Sequence, residues 1–495
     1  MSDRLDDYIV DVSYTRGYFT GLNPLRAKLA LLKRGFAAPD MSTACELGFG
    51  QGVSLAIHAA ASSTVWYGTD LNPEHVASTS ALTEASGVDA HLYQDSFIEF
   101  AMRRDLPDFD YIGLHGVWSW ISDESRAAIV DFIGKRLKVG GVLYINYITM
   151  PGWAPYVPLR ELLSRHAEMT LPETPSLLDR VDASLDFVRR LLTATPAFFA
   201  DNPAVAKHFE RMATRRRRYL AHDYFNRHYR PMDFSTVASL LAPADLTYAG
   251  SAEIGSLESV QLTRAQNDFL GSIEDLVFRE FIHDFLVNRY ARRDYWVRGD
   301  ATRLNERARA ALLREVRVTA VTPRPELPKK LRAALALNGG PSESIYRPLL
   351  EMLSSLEPVS LGAIETSLRS ADATLDQILD AALLVAGQEQ LELVQSDDTI
   401  SRVRKPSAKL NAHLLDAARS GDEIEHLASP VTGAGVPLKR MQQLFLLAAS
   451  RDGAAQPEAL ATFARNFLPQ ETSLVERARD FTRLEVPVLK ALGVA

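Results

Sequence analysis

The chain reads as an α/β protein: a doubly wound parallel sheet, then a helical region, then a winged-helix-like C-terminal domain. Three observations support this. Strand-like runs alternate with helical patterns across residues 41–153, as expected of βαβ units whose helices cover a parallel sheet. A glycine-rich turn, Gly48-Phe49-Gly50-Gln51-Gly52, joins the first run to an apolar helix, the position at which open α/β sheets approach a ligand. Beyond residue 341, three helical stretches lead into what reads as a hairpin.

Taken in order, residues 1–40 form an extension with Tyr14, Tyr18 and Phe19, then a helix with Leu25, Leu29 and Leu32 on one face. The aromatics are expected to pack against the sheet; lying over a ligand is the other reading. Met41–Cys45 reads as the first strand and Val53–Ala61 as its helix. Glycines at 48, 50 and 52 let the backbone turn sharply under a ligand with no Cβ in the way. A nicotinamide or flavin fingerprint needs a third glycine where Val53 stands. Thr64–Asp70 is a second strand ending in an acid, and a carboxylate there can accept from both hydroxyls of a ribose. An ordinary strand-to-helix turn is the bland alternative.

A helix from Pro73 carries Val76, Ser80 and Thr83, and Ala90–Phe97 reads as the third strand, with Asp95 near its end. Asp108–His115 is the fourth, running into Gly116-Val117-Trp118-Ser119-Trp120. Ser122 or Asp123 caps a helix that stops at Gly140-Gly141, and Val142–Tyr147 is the fifth strand. Both loops following these last strands face the ligand side of such a sheet.

The spacing Glu46-x-Gly48-x-Gly50-x-Gly52, with Asp70 following, resembles the first motifs of class I S-adenosylmethionine (SAM) methyltransferases. His115-Gly-Val-Trp118-Ser-Trp120 and Tyr147-x-x-x-Pro-Gly-Trp153 sharpen this into a resemblance to bacterial methyltransferases that carry a methyltransferase regulatory domain, some of which methylate protein lysines. It extends through Tyr219–Asn226 and Asp284–Arg289, most of the chain. One departure stands out: relatives often have Asn where Ile148 sits, whereas Asn146 lies two residues earlier.

The resemblance implies a Rossmann-like class I methyltransferase sheet and SAM as cofactor. Glu46, Gly48, Phe49, Gly50, Gly52, Asp70, Leu71, Asp95, Ser96 and His115 would hold it. Asp95 would take the adenine amino group, with a helix N-cap as the alternative. Methyl transfer to an amine needs a neutral nitrogen, and an apolar aromatic pocket disfavours the ammonium form. Trp118, Trp120, Tyr147 and Trp153 are the candidate wall, and His115 the candidate proton acceptor. Core anchors and a satisfied structural histidine are the alternatives. No metal site is expected.

Residues 155–300 read as helical, with Leu177, Val181, Leu185, Val188 and Leu192 on one face. A second helix from Pro203 would carry Arg211, Arg215, Arg218 and His222 as a solvated stripe, or as a dock for an acidic protein. Leu246–Ala249 reads as the turn into the next unit. The expected domains are 1–155 (SAM-binding, with the extension), 156–318 (helical, regulatory), a linker at 319–341 containing Pro323, Pro325, Pro328 and Asn338–Pro341, and 342–495 (winged-helix-like).

In that last domain, Gln390–Val394, a Ser-Asp-Asp turn and Ile400–Val403 read as the hairpin. Thr374–Ala386 holds no Arg or Lys, so a protein-contact or dimerisation role is expected rather than DNA reading. With 495 residues, 46% hydrophobic, the chain can build a sizeable core. A net charge of −7 disfavours a general nucleic-acid binder. A lone cysteine, Cys45, excludes a disulfide framework and reads as a small apolar strand residue. The acidic N-terminus shows no signal peptide and no run reaches the ~20 apolar residues of a membrane span, so a cytoplasmic protein is expected. The favoured function is methylation of a protein side chain, lysine first. The alternatives are a small-molecule or glycan methyltransferase and a SAM-binding regulator without activity.

Overall fold

The computed structural model describes residues 8–495 apart from 172–175, 254, 256–261, 301–302, 327, 330–331, 333–334, 336–340, 370–372 and 453–455. Its centre is a seven-stranded sheet: β1 (Thr43–Leu47), β2 (Val65–Thr69), β3 (Ala90–Tyr93), β4 (Phe109–Leu114), β5 (Leu137–Ile148), β6 (Leu246–Ser251) and β7 (Ala291–Arg298). The strand order is β3-β2-β1-β4-β5-β7-β6. The first five strands run parallel and β7 lies antiparallel between β5 and β6. Strand β4 is buried along its whole length, as a strand covered by helices on both faces must be. The chain passes from β1 outward to β2 and β3, then returns to β4 on the other side. A crevice therefore opens beyond the carboxyl ends of β1 and β4.

The crossover helices are set by local chemistry. Asn72 caps Pro73–Ser86 through its side chain, Ser96 caps Phe97–Met102 in a reciprocal box with Glu99, and Ser122 caps Asp123–Arg136. Cys45 is buried in β1.

Two expected boundaries are corrected. The sheet does not end near residue 153: β6 and β7 complete it from inside the stretch read as helical, and Leu246–Ala249 is strand, not turn. Strand β7 hides its pattern because two of its buried residues are charged. Arg292 and Asp294 pair with each other at 2.8 Å, and Arg292 also pairs with Asp284 at 2.7 Å and Glu280 at 2.9 Å. Charges read as solvent-facing unless their partners are visible.

The helices of 157–225 form a cap with a core of their own, around Leu159, Leu163, Val181, Leu185, Val188, Val205 and Phe209. The expected arginine stripe is not one face, since the helix breaks between Pro203–Met212 and Arg217–Phe225. His222 is buried, its Nε2 2.7 Å from the Val12 carbonyl.

Downstream, the expected linker begins inside β8 (Arg317–Ala320), the middle strand of a small sheet with β9 (Val359–Ser360) and β10 (Leu391–Leu393). Asn338–Gly340 of that linker lie outside the described residues. The expected hairpin is also corrected: β10 pairs with β8, and Ile400–Val403 lies in the helix Asp397–Ala417. Ser-Asp-Asp is a helix start rather than a turn. Ser396 accepts from the Thr399 N–H, and Asp397 and Asp398 sit in the first turn, where acids favour the helix N-terminus.

That helix packs on the sheet's own helices: Leu410 and Leu414 share a core with Val53, Ala56, Ile57 and Ala60. Ser407 Oγ donates to the Ala60 carbonyl at 3.1 Å. A buried ion pair, Arg26–Glu392 at 2.8 Å, ties the N-terminal helix Pro24–Lys33 to β10. β11 (His426–Ser429) and β12 (Ala434–Pro437) form an antiparallel pair.

Candidate active site

The crevice is a cavity of about 360 Å³, within the range of small-molecule sites. The glycine turn forms its floor, with Gly48, Gly50 and Gly52 at φ of 74°, 57° and 69°. At Gly52, which opens the helix Val53–Ala61, a Cβ would lie 2.0 Å from Thr79 Oγ1, so both the backbone angle and the packing require glycine.

Asp70 closes the second side. Its Oδ2 accepts from the Gly50 N–H at 2.8 Å, and its Oδ1 from the Asn72 N–H at 3.0 Å. His75 Nδ1 lies 3.0 Å from the same Oδ1, and the Tyr14 N–H donates to His75 Nε2 at 3.0 Å. Nε2 therefore accepts, and the ring proton sits on Nδ1, donated to Asp70. With these bonds made, a single acceptor site remains on Oδ2, so the expected grip on two hydroxyls at once reduces to one free lone pair.

Glu46, at the end of β1, is buried with Oε2 unpartnered, and burial first, then Asp70, pushes its carboxyl well above the usual range. Gln51 Oε1 is also buried without a partner. All ten residues expected around the cofactor line this one cavity. At its far side, Asp95 pairs with Arg103 at 2.8 Å, and the helix N-cap falls to Ser96 instead.

The expected aromatic wall is largely elsewhere. Of Trp118, Trp120, Tyr147 and Trp153, only Trp120 lines the cavity. Trp118 is fully buried in the core beneath β4. Tyr147 is buried there too, its hydroxyl donating to Asp294 at 3.0 Å. Trp153 packs on Tyr156 and His208 in the helical cap. Trp118 and Trp120 stand at the ends of one 3₁₀ turn, about 120° apart around its axis, so they enter different surroundings.

The wall is built instead by Tyr8, Tyr14 and Phe19 from the N-terminal extension and by Tyr219 from the helix Arg217–Phe225. Packing on the sheet was the expected role for the extension and holds for Tyr18, which packs on His58 and His426, whereas Tyr14 and Phe19 take the other reading and lie over the crevice. Lying over a ligand was only the second reading for the extension because nothing local ties it to the glycine turn. Arg293 of β7 also lines the cavity, 3.5 Å from Glu253.

His115 sits between Phe19, stacked at 4.0 Å between centroids, and Tyr144, whose hydroxyl is 2.8 Å from Nδ1. Burial lowers its pKa to about 3. Such a ring stays neutral and is a poor proton acceptor at neutral pH. Asn146 bridges the loop after β4 to β7, accepting from the Gly116 N–H at 3.2 Å and donating to the Arg292 carbonyl at 2.9 Å. Asp223, beside Tyr14 and Tyr219, is raised to about 7 by burial, with hydrogen bonds from both tyrosines holding it partly down.

A seven-stranded sheet of this order with β7 reversed, and a ligand crevice over β1 and β4, defines the class I methyltransferase fold. The same fold over nearly the whole length is found in PKMT2 from Rickettsia typhi in complex with AdoHcy: TM-score 0.67, 16% identity, 97% of this chain and 99% of that one. The family described as "Predicted methyltransferase regulatory domain" matches residues 216–298, the segment that supplies β6, β7, Tyr219, Asp223 and Arg293. The uncharacterized protein sll1526 of Synechocystis sp. is 31% identical over 510 aligned residues, covering 99% of both chains. The chain therefore belongs to the family of bacterial class I methyltransferases with a methyltransferase regulatory domain. A more distant relative, the uncharacterized protein RP789 of Rickettsia prowazekii, is 25% identical over 56% of this chain and 50% of its own length.

Proposed function

We propose that the protein moves a methyl group from SAM to a protein side chain, lysine nitrogen first. One observation carries this reading: a crevice whose floor fits a sulfonium nucleoside is roofed by aromatic side chains from outside the sheet. The fit rests on the orphaned Glu46 and Gln51 oxygens, which want a donor or a cation, and on the remaining lone pair of Asp70, which suits one ribose hydroxyl. Glu46, Gly48, Phe49, Gly50, Gly52, Asp70, Leu71, Asp95, Ser96 and His115 would hold the cofactor, and Arg293 in the same lining would offer its carboxylate a cation. Bound SAM supplies a methyl group on a cationic sulfur that departs as a neutral thioether.

The protein's own residues position and exclude water. Tyr14, Phe19, Trp120 and Tyr219 line the cavity with aromatic rings, a wall suited to a cationic chain that would keep the acceptor nitrogen out of water. His115 buttresses the wall rather than moving a proton. Positioning of this kind can account for much of the acceleration in a displacement reaction. The lysine assignment draws on the likeness in fold to PKMT2, a protein lysine methyltransferase. The winged-helix-like reading of residues 342–495 stays part of this proposal, with the small sheet β10-β8-β9 taking one strand, β8, from before that stretch. Among the described residues no helix is long and apolar enough to cross a membrane.

The test is incubation with methyl-labelled SAM and a bacterial protein fraction, followed by amino-acid analysis. Label in methyl-lysine supports the reading. Label confined to small molecules or glycans, or cofactor binding with no transfer, overturns it.

A further inference from the structure

Of the carboxylates lining the cavity, those on the sheet are occupied or belong to the cofactor end. Asp70 is bonded by Gly50, Asn72 and His75, Asp95 by Arg103, and Glu46 sits at the end of β1 beneath the glycine turn. Asp223 differs in origin and company. It comes from the cap helix Arg217–Phe225, across the cavity from the sheet, and its partners are phenols. The Tyr14 hydroxyl donates to its Oδ1 at 3.5 Å, and Tyr219 donates as well. Among the described residues no lysine or arginine pairs with it. Phenols solvate a negative charge without cancelling it, so this wall holds a net anion among aromatic rings. Its complement is a cation with an aliphatic stem.

Resting on the methyltransferase reading above, we propose that Asp223 receives the ammonium of the acceptor lysine and takes one proton from it, with Tyr14 and Tyr219 as positioning residues for its carboxylate. The N–H bond breaks as the carboxyl O–H forms, so an ammonium and a carboxylate become an amine and a carboxylic acid with no change in total charge. The lone pair left on nitrogen is the pair that forms the new bond to the methyl carbon, while the C–S pair stays on sulfur. Asp223 then releases its proton to water. Burial drives the transfer, because desolvation disfavours both charged forms and favours both neutral ones. The carboxyl's rise to about 7 is the same effect seen before the acceptor arrives. The titratable groups that feel the Asp223 charge are Tyr8 and Tyr14 from the extension, and Tyr219, Tyr224 and Tyr229 around its own helix.

The full-length protein loaded with AdoHcy provides a test separate from turnover: calorimetric binding of N-acetyl-lysine methylamide against its norleucine isostere. Asp223→Asn is expected to weaken the lysine compound at least about tenfold, to leave the norleucine compound alone, and to keep AdoHcy affinity. In turnover, Asp223→Asn should slow methyl-lysine formation by about 100-fold. The acidic limb of its rate profile should move from near 7 towards the ~10 of free lysine. Tyr219→Phe removes a bond that stabilises the carboxylate and should move the wild-type limb upward with folding intact. An unchanged lysine-to-norleucine ratio, or a wild-type rate and limb in Asp223→Asn, overturns the inference alone. A wild-type enzyme that forms no methyl-lysine overturns the underlying reading, and the inference with it.

Discussion

His75 connects the N-terminal extension to the ligand-facing carboxylate, since it takes the Tyr14 N–H on one nitrogen and gives its proton to Asp70 on the other. Replacing it with alanine leaves a buried carboxylate short of a donor and frees the strap at Tyr14. His75→Ala is expected to lower AdoHcy affinity by about 1–2 kcal/mol, read by calorimetry, with little change in the sheet. At Gly52, alanine meets both an unfavourable angle and Thr79, so Gly52→Ala should cost about 1–3 kcal/mol of stability in urea unfolding.

Asp223 carries a pH signature of its own. Its folded pKa of about 7 lies above the unfolded value, so the wild type keeps the associated stability below about 4 and loses it as pH rises through 7. Asp223→Asn should therefore be more stable than wild type at pH 8, by about 1–3 kcal/mol, and equal to it near pH 4. Thermal melts at the two pH values measure this.

Among elements, β7 shows what patterning misses. β1 to β5 were legible because the glycine turn marks the first crossover and capped helices follow β2, β3 and β4. β7 carries Arg292 and Asp294 inward, satisfied by each other, by Asp284 and Glu280 of the helix Leu276–Val287 and by the Tyr147 hydroxyl, a pairing no local window reveals. Arg292→Met should take from these buried acids the cation they share, leaving Asp284 only Arg289 among the described residues, and destabilise the fold by about 3–5 kcal/mol, seen as a lowered urea midpoint. The cavity floor was readable for the same reason as β1. Its roof was legible only as the second reading of the extension, because Tyr8, Tyr14, Phe19, Tyr219 and Asp223 come from segments whose placement depends on packing. Trp118 and Tyr147 misled because neighbours in sequence on a turn or strand can face opposite layers.

Over the whole molecule, the tail is part of the catalytic body rather than an arm beside it. Every residue of the helix Val53–Ala61 is buried, and the helix Asp397–Ala417 with its neighbours covers it. Gln395 Nε2 also donates to the Ala61 carbonyl at 2.8 Å. A chain cut after residue 395 should therefore lose AdoHcy binding and melt earlier, whereas a tail serving only to dock partners would leave both unchanged.

Strand β5 pairs with β7 at seven residues, from Val142↔Val297 to Ile148↔Ala291, and this matters while the chain is being made. The edge of β5 is complete roughly 140 residues before its partner is synthesised, a long-range closure of the kind that slows folding. Until then it presents unpaired amides to whatever strand passes. The helical cap, residues 157–225, is synthesised in that interval and has a core of its own to fold around.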